Sequence, residues 1–333
     1  MTSHDTRPAE KILVLGAGEL GMNVMRELSA AAKQAPLQLA VLLRPPVHGS
    51  SDHSREALLG ELKRMGVKVL YADVVADPVD SLSVLFGQFD TVISCVGFVA
   101  GPGVQLRITE AVLEAGVSRY LPWQFGVDYD AIGRGSPQDL FDEQLDVRDR
   151  LRAQRRTEWL IISTGMFTSF LFEPAFGVVD LERGVVHALG SWDTRVTVTT
   201  PEDIGLLTTK LLLVQPRLAN EVVFVAGDTL SYAQLADALD ARLDRQFRRE
   251  EWSVAKLKGD LAADPGDPMK KYRAVFAEGR GVAWDKRLTF NAAQGIELTT
   301  AAQWIARNSC LAPARNRSDS VRGRLTQWRR QPG

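Results

Sequence analysis

Lys11-Ile12-Leu13-Val14-Leu15-Gly16-Ala17-Gly18-Glu19-Leu20-Gly21 carries an apolar strand straight into G-x-G-x-x-G. Such a junction can press a pyrophosphate against bare backbone N–H groups at the start of a helix. Gly16 permits the tight turn, Gly18 removes a side chain where the phosphates approach, and Gly21 allows close helix–strand packing. Leu20, Val24 and Leu28 recur every four residues, so a helix with an apolar stripe follows at once. A glycine-rich loop alone also fits a strand–turn–helix that binds nothing. The strand before it and the helix after it favour a dinucleotide site, with Gly16, Gly18, Glu19, Leu20 and Gly21 in contact.

The alternation continues outward. Leu37 to Leu43 reads as a second strand, Ser54 to Met65 as a helix, Val67 to Tyr71 as a third strand, Ser81 to Phe86 as a short helix and Thr91 to Val96 as a fourth strand. Val104, Ile108 and Val112 mark a helix that Gly116 can end in a left-handed conformation. Arg119 to Leu121 is a fifth strand. Pro122 to Pro137 is a loop, after which Ser136, Pro137 and Asp139 read as N-cap, first-turn proline and capping-box acid of the next helix. Trp159 to Thr164 returns as a strand ending at Gly165. Beyond it Met166 to Phe176 is aromatic, Val185 to Thr200 is strand-rich, Glu202 to Leu213 is helical, and Val222 to Ala226 adds a last strand. This order predicts an α/β protein of Rossmann type, a doubly wound parallel sheet with right-handed crossovers and a smaller C-terminal substrate-binding part. The expected division is a nucleotide-binding domain over 8–165, rejoined by 195–226, and a substrate-binding part from 166–194 and 227–310.

Composition narrows the function. The chain has 333 residues, 45% of them hydrophobic and 24% charged, with a formal net charge of −1. That is the balance of a water-soluble globular protein, and it argues against a surface built to grip nucleic acid. Cys95 and Cys310 are too few for a disulfide framework or a cysteine metal cluster, and Cys95 reads as a small buried side chain. His4, His48, His53 and His187 show no metal-ligand spacing, so no metal is expected. No stretch is long enough for a membrane span and the N-terminus lacks a signal peptide's apolar region, so the expected location is the cytoplasm. Residues 311–333 are Arg-rich and nearly free of apolar residues, which reads as a solvated, disordered tail.

The second strand ends Val41-Leu42-Leu43-Arg44, where an adenosine ribose should lie. An acid there favours NAD; Arg favours a 2′-phosphate, and Arg55 can add a second positive charge. Arg44 as a merely solvated strand end is the competing reading. The expected cofactor is NADP(H), with Val96 and Gly97 at the end of the fourth strand completing its contacts.

Taken together, the chain resembles the isoflavone reductase-like branch of the NmrA-like proteins, a group of atypical short-chain dehydrogenases. The likeness runs through most of residues 11 to 310. It rests on the glycine loop, Arg44, Ala72-Asp73 to Ser81-Leu82, Asp90-Thr91-Val92-Ile93-Ser94, Ala115-Gly116-Val117-Ser118-Arg119-Tyr120-Leu121-Pro122, Phe125-Gly126-Val127-Asp128 and Pro201-Glu202-Asp203-Ile204-Gly205. The more specific impression is of aromatic alcohol reductases, with plant relatives among the pinoresinol–lariciresinol and phenylcoumaran benzylic ether reductases. The resemblance implies hydride transfer from NADPH to an isoflavone- or lignan-like substrate. One departure matters. The plant enzymes carry a catalytic Lys in Phe-x-x-Lys-x-x-x-Arg, whereas this chain has Phe141-Asp142-Glu143-Gln144-Leu145-Asp146-Val147-Arg148. Gln144 stands in the lysine position and Arg148 in that of the arginine. The family's Pro-Ser-Glu-Phe-Gly is also altered, to Pro122-Trp123-Gln124-Phe125-Gly126.

Gln144 shares a helical stripe with Leu140, Val147 and Leu151 and should face inward, where its amide can hold a nicotinamide carboxamide or a water but cannot titrate. None of the five tyrosines is followed four residues later by Lys, so the Tyr-x-x-x-Lys chemistry of ordinary short-chain dehydrogenases is absent. Tyr129 is the remaining acid candidate, and equally a packing residue. Asp128 beside it can orient it or simply make a turn. A para-hydroxylated benzylic ether can expel its own oxygen to give a quinone methide, so a strong acid is not required; positioning then does most of the work. Trp123, Arg148, Phe167 and Phe170 are the expected substrate contacts, with Phe172, Phe176, Trp192 and Trp284 as further walls. Expected partners are an aromatic small molecule and, as an option, a second copy of the chain in a homodimer. A catalytically silent NADP(H) sensor and a quinone reductase are the competing readings.

Overall fold

Alternate residues of the first strand enter different cores: Ile12 and Val14 join one apolar cluster, Leu13 and Leu15 another. A strand buried on both faces belongs in the middle of a covered parallel sheet. The computed structural model describes residues 8–46 and 53–308, so His4, His48, Cys310 and the Arg-rich residues 311–333 lie outside it. In chain order the strands are β1 (Glu10–Leu15), β2 (Leu37–Leu43), β3 (Lys68–Tyr71), β4 (Thr91–Ser94), β5 (Arg119–Leu121), β6 (Glu158–Ser163), β7 (Met166–Phe167), β8 (Val179–Asp180), β9 (Val185–Leu189), β10 (Arg195–Thr199), β11 (Glu221–Phe224), β12 (Asp228–Ser231) and β13 (Arg248–Trp252). The main sheet has seven strands in the order β11-β6-β5-β4-β1-β2-β3, every neighbouring pair parallel. This is the expected doubly wound sheet. The order reverses between β1 and β4, and open sheets of this kind take ligands at the carboxyl ends of the strands at such a point.

The helices are α1 (Glu19–Ala31), α2 (His53–Arg64), α3 (Val79–Phe86), α4 (Val104–Ala115), α5 (Tyr129–Ile132), α6 (Leu140–Arg152), α7 (Pro201–Leu213), α8 (Tyr232–Leu243), α9 (Val254–Ala263), α10 (Pro268–Glu278), α11 (Phe290–Ala293) and α12 (Ala301–Arg307). Leu20, Val24 and Leu28 are buried as the stripe of α1 predicts. Gly116 takes φ +65° and closes α4, as its sequence position suggests. Helix α7 lies on α1 so closely that a Cβ on Gly205 would fall 2.7 Å from the backbone of Asn23. No helix among the described residues is long and apolar enough to cross a membrane.

Two three-stranded sheets, β12-β10-β7 and β13-β9-β8, flank the main one. They share a third apolar cluster with α8 and α10. Residues 195–199 therefore pair in a small sheet, while α7 and β11 return to the large one. Helix α6 bridges two cores, with Val147 and Leu151 in a cluster of the main sheet and Phe141 and Leu145 in the third. Its start corrects the expected cap. Asp139, not Ser136, is the N-cap, because Asp142 on the first turn accepts from the Gly135 N–H and folds residues 135–139 back as a loop.

Candidate functional site

The glycine loop sits at the reversal point of the main sheet. Gly16 has φ +85°, a conformation that favours glycine, and a Cβ on Gly21 would lie 2.2 Å from the Gly16 carbonyl oxygen. Only hydrogen there lets α1 start against the end of β1. Gly18 is different. It has φ −69° and a Cβ on it would meet nothing within 4 Å, so its lack of a side chain serves no contact inside the protein. It is the N-cap of α1 and no side chain caps the helix there, which leaves N–H groups of the first turn to an outside acceptor. The Glu19 carboxyl keeps a solvent-facing side, yet desolvation and the nearby Glu202 raise its pKa.

Arg44 is exposed at the carboxyl end of β2. Arg55 is committed to the protein: it donates to the Arg44 carbonyl at 2.8 Å and lies over the Tyr71 ring at 5.7 Å, so it braces the strand end. Past β4, Val96 packs toward Gly16 and its carbonyl accepts from Gln105. Cys95 is partly buried, and desolvation of the thiol pushes its pKa up to about 12.

At Gly97 the nucleotide loop meets the aromatic residues. A Cβ there would lie 3.1 Å from the Trp123 indole. Phe98 stands edge-on to Trp123 with ring centroids 4.6 Å apart, then follow Phe98–Phe141 at 6.2 Å, Phe141–Tyr272 at 6.0 Å and Tyr272–Phe170 at 5.7 Å. The row draws on five chain segments. Trp123 and Phe170 are expected in it; the sequence marks neither Phe98 nor Tyr272, and Phe141 only as the first residue of the 141–148 stretch, and the ring pairs of the row are 25 to 131 positions apart. Phe167 packs in the same apolar cluster as Trp123, away from the row's far end. Trp284 donates to the Val225 carbonyl beside β11, and Trp192 lies near the Arg249 guanidinium; neither joins the row.

Helix α6 supplies the polar side. Gln144 is closed from solvent, and neither its Oε1 nor its Nε2 has a hydrogen-bond partner. Its inward direction is as its stripe predicts. Gln124, also fully buried, donates to the Gln144 carbonyl at 2.9 Å and accepts from Arg148 Nε at 2.7 Å. Arg148 reaches Asp130 at 2.6 Å, and hydrogen bonds from Arg152, with the Arg148 charge, hold the Asp130 carboxyl below the usual range. Two residues expected at the site have packing roles here. Arg148 is fully buried; its Nε and Nη1 tie the 122–130 loop to α6, and its Nη2 has no partner. Tyr129 is 1% exposed, edge-on to Phe141 at 5.0 Å and beneath the Arg148 guanidinium at 5.2 Å. Burial pushes its pKa upward and makes it a weaker acid, so the packing role is the one it fills.

The profile of the NmrA-like family matches residues 8–282. An "NmrA-like family domain-containing oxidoreductase" of Gibberella moniliformis is 47% identical over 298 residues, 89% of this chain and 97% of that protein. Among solved structures, a crystal structure of isoflavone reductase superposes with a TM-score of 0.75 at 20% identity, over 89% of this chain and 98% of that one. AtPrR2 with NADP+ and (+)pinoresinol gives 0.72 at 20% identity, over 90% and 99%. With the profile spanning the glycine loop, the seven-stranded sheet and the bridging helix alike, the chain belongs to the NmrA-like family.

Proposed function

We propose that the chain is an NADPH-dependent reductase of an aromatic, phenylpropanoid-like small molecule. One observation carries this reading: the space left at Gly18 and the aromatic row share the Gly16–Val96–Gly97–Trp123 junction, so a dinucleotide cradle and an aromatic wall meet at the reversal point of the sheet. The residues present fit a dinucleotide, since Gly18 leaves open space before an uncapped helix and Arg44 is exposed where a 2′-phosphate would lie. When bound, that cofactor supplies the hydride. The chain's own residues bind and orient. Backbone N–H groups from Gly18 to Gly21 hold the diphosphate, Arg44 selects the phosphorylated ribose, and Trp123, Phe98 and Phe170 present apolar surface that excludes water. Gln144 offers one donor and one acceptor that do not titrate. A relative named as an oxidoreductase and a neighbour holding NADP+ with pinoresinol support the same reading.

The second reading is a catalytically silent NADP(H) sensor. The observation in its favour is that neither Gln144 nor the buried Tyr129 provides an acid. A screen of NADPH oxidation against phenolic ethers, aromatic aldehydes and quinones separates the two, run beside NADPH and NADH titrations of wild type and Arg44→Ala. The reductase reading expects turnover, and a loss of NADPH affinity of roughly ten- to a hundred-fold in Arg44→Ala. Tight NADPH binding without oxidation of any of these classes refutes it in favour of the sensor.

A further inference from the structure

Beside the first turn of α6 lies a cavity of about 380 Å³, walled by Leu140 and Pro268 and by the polar side chains of Gln138, Asp139, Glu143 and Lys271. That is within the range of small-molecule sites, on the order of 300 Å³ and upward. Three of the four polar groups are already committed. The Glu143 carboxylate accepts from the N–H groups of Gly103 and Gln105 at 2.8 Å, and from Leu106, at the start of α4. Lys271 Nζ and Asp139 Oδ2 hold each other at 2.6 Å, tying α10 to the N-cap of α6. Gln138 is the one left over. It is fully buried, and neither its Oε1 nor its Nε2 has a partner.

A carboxamide in that state calls for a ligand that brings both a donor and an acceptor. A carboxylate would satisfy Nε2 but set lone pairs against Oε1, and an ammonium would do the reverse. A hydroxyl donates and accepts at one oxygen. Asp139 and Glu143 beside the amide disfavour an anion as well. Pro102, Leu140 and Pro268 give the cavity an apolar wall on which a ring behind the hydroxyl can lie.

We propose that this cavity is a subsite for the neutral phenol end of an aromatic ligand, with Gln138 accepting its O–H and donating to its oxygen. The inference rests on the reductase reading for the class of ligand and names the polar end of that class. The amide is closed off, so a ligand reaches it only as neighbouring side chains give way; the Lys271–Asp139 pair on the cavity wall is partly exposed and of a kind that holds weakly.

The probes are para-cresol, its methyl ether 4-methylanisole, and 4-methylbenzoate. Each is titrated by calorimetry into the full chain with and without saturating NADP+, so that no turnover is required. Wild type should bind cresol roughly ten-fold more tightly than either other probe. Gln138→Leu should bind cresol and its ether alike, and Leu140→Trp, which fills the cavity from its wall, should bind neither while keeping the wild-type melting temperature within a few degrees. Equal binding of cresol and its ether by wild type, a cresol preference that survives Gln138→Leu, or undiminished binding in Leu140→Trp overturns the inference. NADPH oxidation is read separately. Its absence refutes the reductase reading, and the cresol preference, an equilibrium measurement, still decides the subsite.

Discussion

Gly18 and Gly21 are three residues apart in one loop, yet adding a single methyl to each should have opposite consequences. At Gly21 the new Cβ would sit 2.2 Å from the Gly16 carbonyl oxygen and 3.0 Å from its carbon. Relief requires moving α1 off the end of β1, where Val14, Leu20 and Val24 are packed to at most 5% exposure. Overpacking of this kind costs about 3 kcal/mol or more. At Gly18 the backbone is extended and the Cβ meets nothing, so Gly18→Ala costs only what alanine loses to glycine at an N-cap, about 0.5–1 kcal/mol. Its effect should fall on the ligand. A methyl in the space reserved for phosphate lengthens at least one charge-assisted hydrogen bond, worth about 1.5–3 kcal/mol, or roughly ten- to a hundred-fold in affinity. Urea unfolding without nucleotide and NADPH titration of both variants make the measurement. Gly18→Ala with wild-type affinity for NADPH would show that the open space is not a ligand's, and Gly21→Ala as stable as Gly18→Ala would refute the packing argument.

Three further outcomes are expected. Gln124→Leu removes the bond to Arg148 Nε and the bond to the Gln144 carbonyl, for a loss of about 3 kcal/mol in urea unfolding; a loss under about 1 kcal/mol would mean that the buried guanidinium does not need this partner. Glu19→Gln should stabilise the protein near neutral pH, because the folded state raises the Glu19 pKa and so disfavours its charged form. That gain is present above the raised pKa and fades as pH falls through it toward the ordinary value of 4.5, below which both states are protonated; a gain independent of pH would assign it to something other than charge. Tyr129→Phe should keep turnover within a few-fold, whereas a drop of about a hundred-fold, the scale of a lost general acid, would restore the role that its burial denies it.

What was legible in the sequence was local. Strand β2 runs from Leu37 to Leu43 as read, because Pro36 before the run and Arg44-Pro45 after it fix both ends. Gly116 ends α4 and Gly21 meets β1 for reasons internal to a short motif. The cap of α6 departs from its sequence pattern because Ser136-Pro137 carries a helix-start signal that Asp142 overrides by holding Gly135 in a loop. The polar network could not be read at all. Gln124 and Arg148 are 24 residues apart and Arg148 and Asp130 are 18, and no periodicity links a loop residue to a helix face. The aromatic row was half legible for the same reason: Trp123 and Phe170 stand in conspicuous stretches, while Phe141 reads as one more apolar position on a helix and Tyr272 lies far along the chain.

Helix α6 explains why those distant residues matter together. Val147 and Leu151 fix one side of it in the core of the main sheet, and Phe141 and Leu145 fix the other in the core of the small sheets. Gln124 and Arg148 then lock it to the loop that carries Trp123. A helix held from three directions cannot relax to satisfy a side chain, so the Gln144 amide stays buried and unpartnered at the cost that the rest of the packing imposes. Packing alone would be served by Leu or Met at that position. On the proposed reading, the carboxamide at this position serves a group from outside the fold. Because an amide does not titrate, what it can do there is orient that group, and proton transfer is left to the ligand or to water.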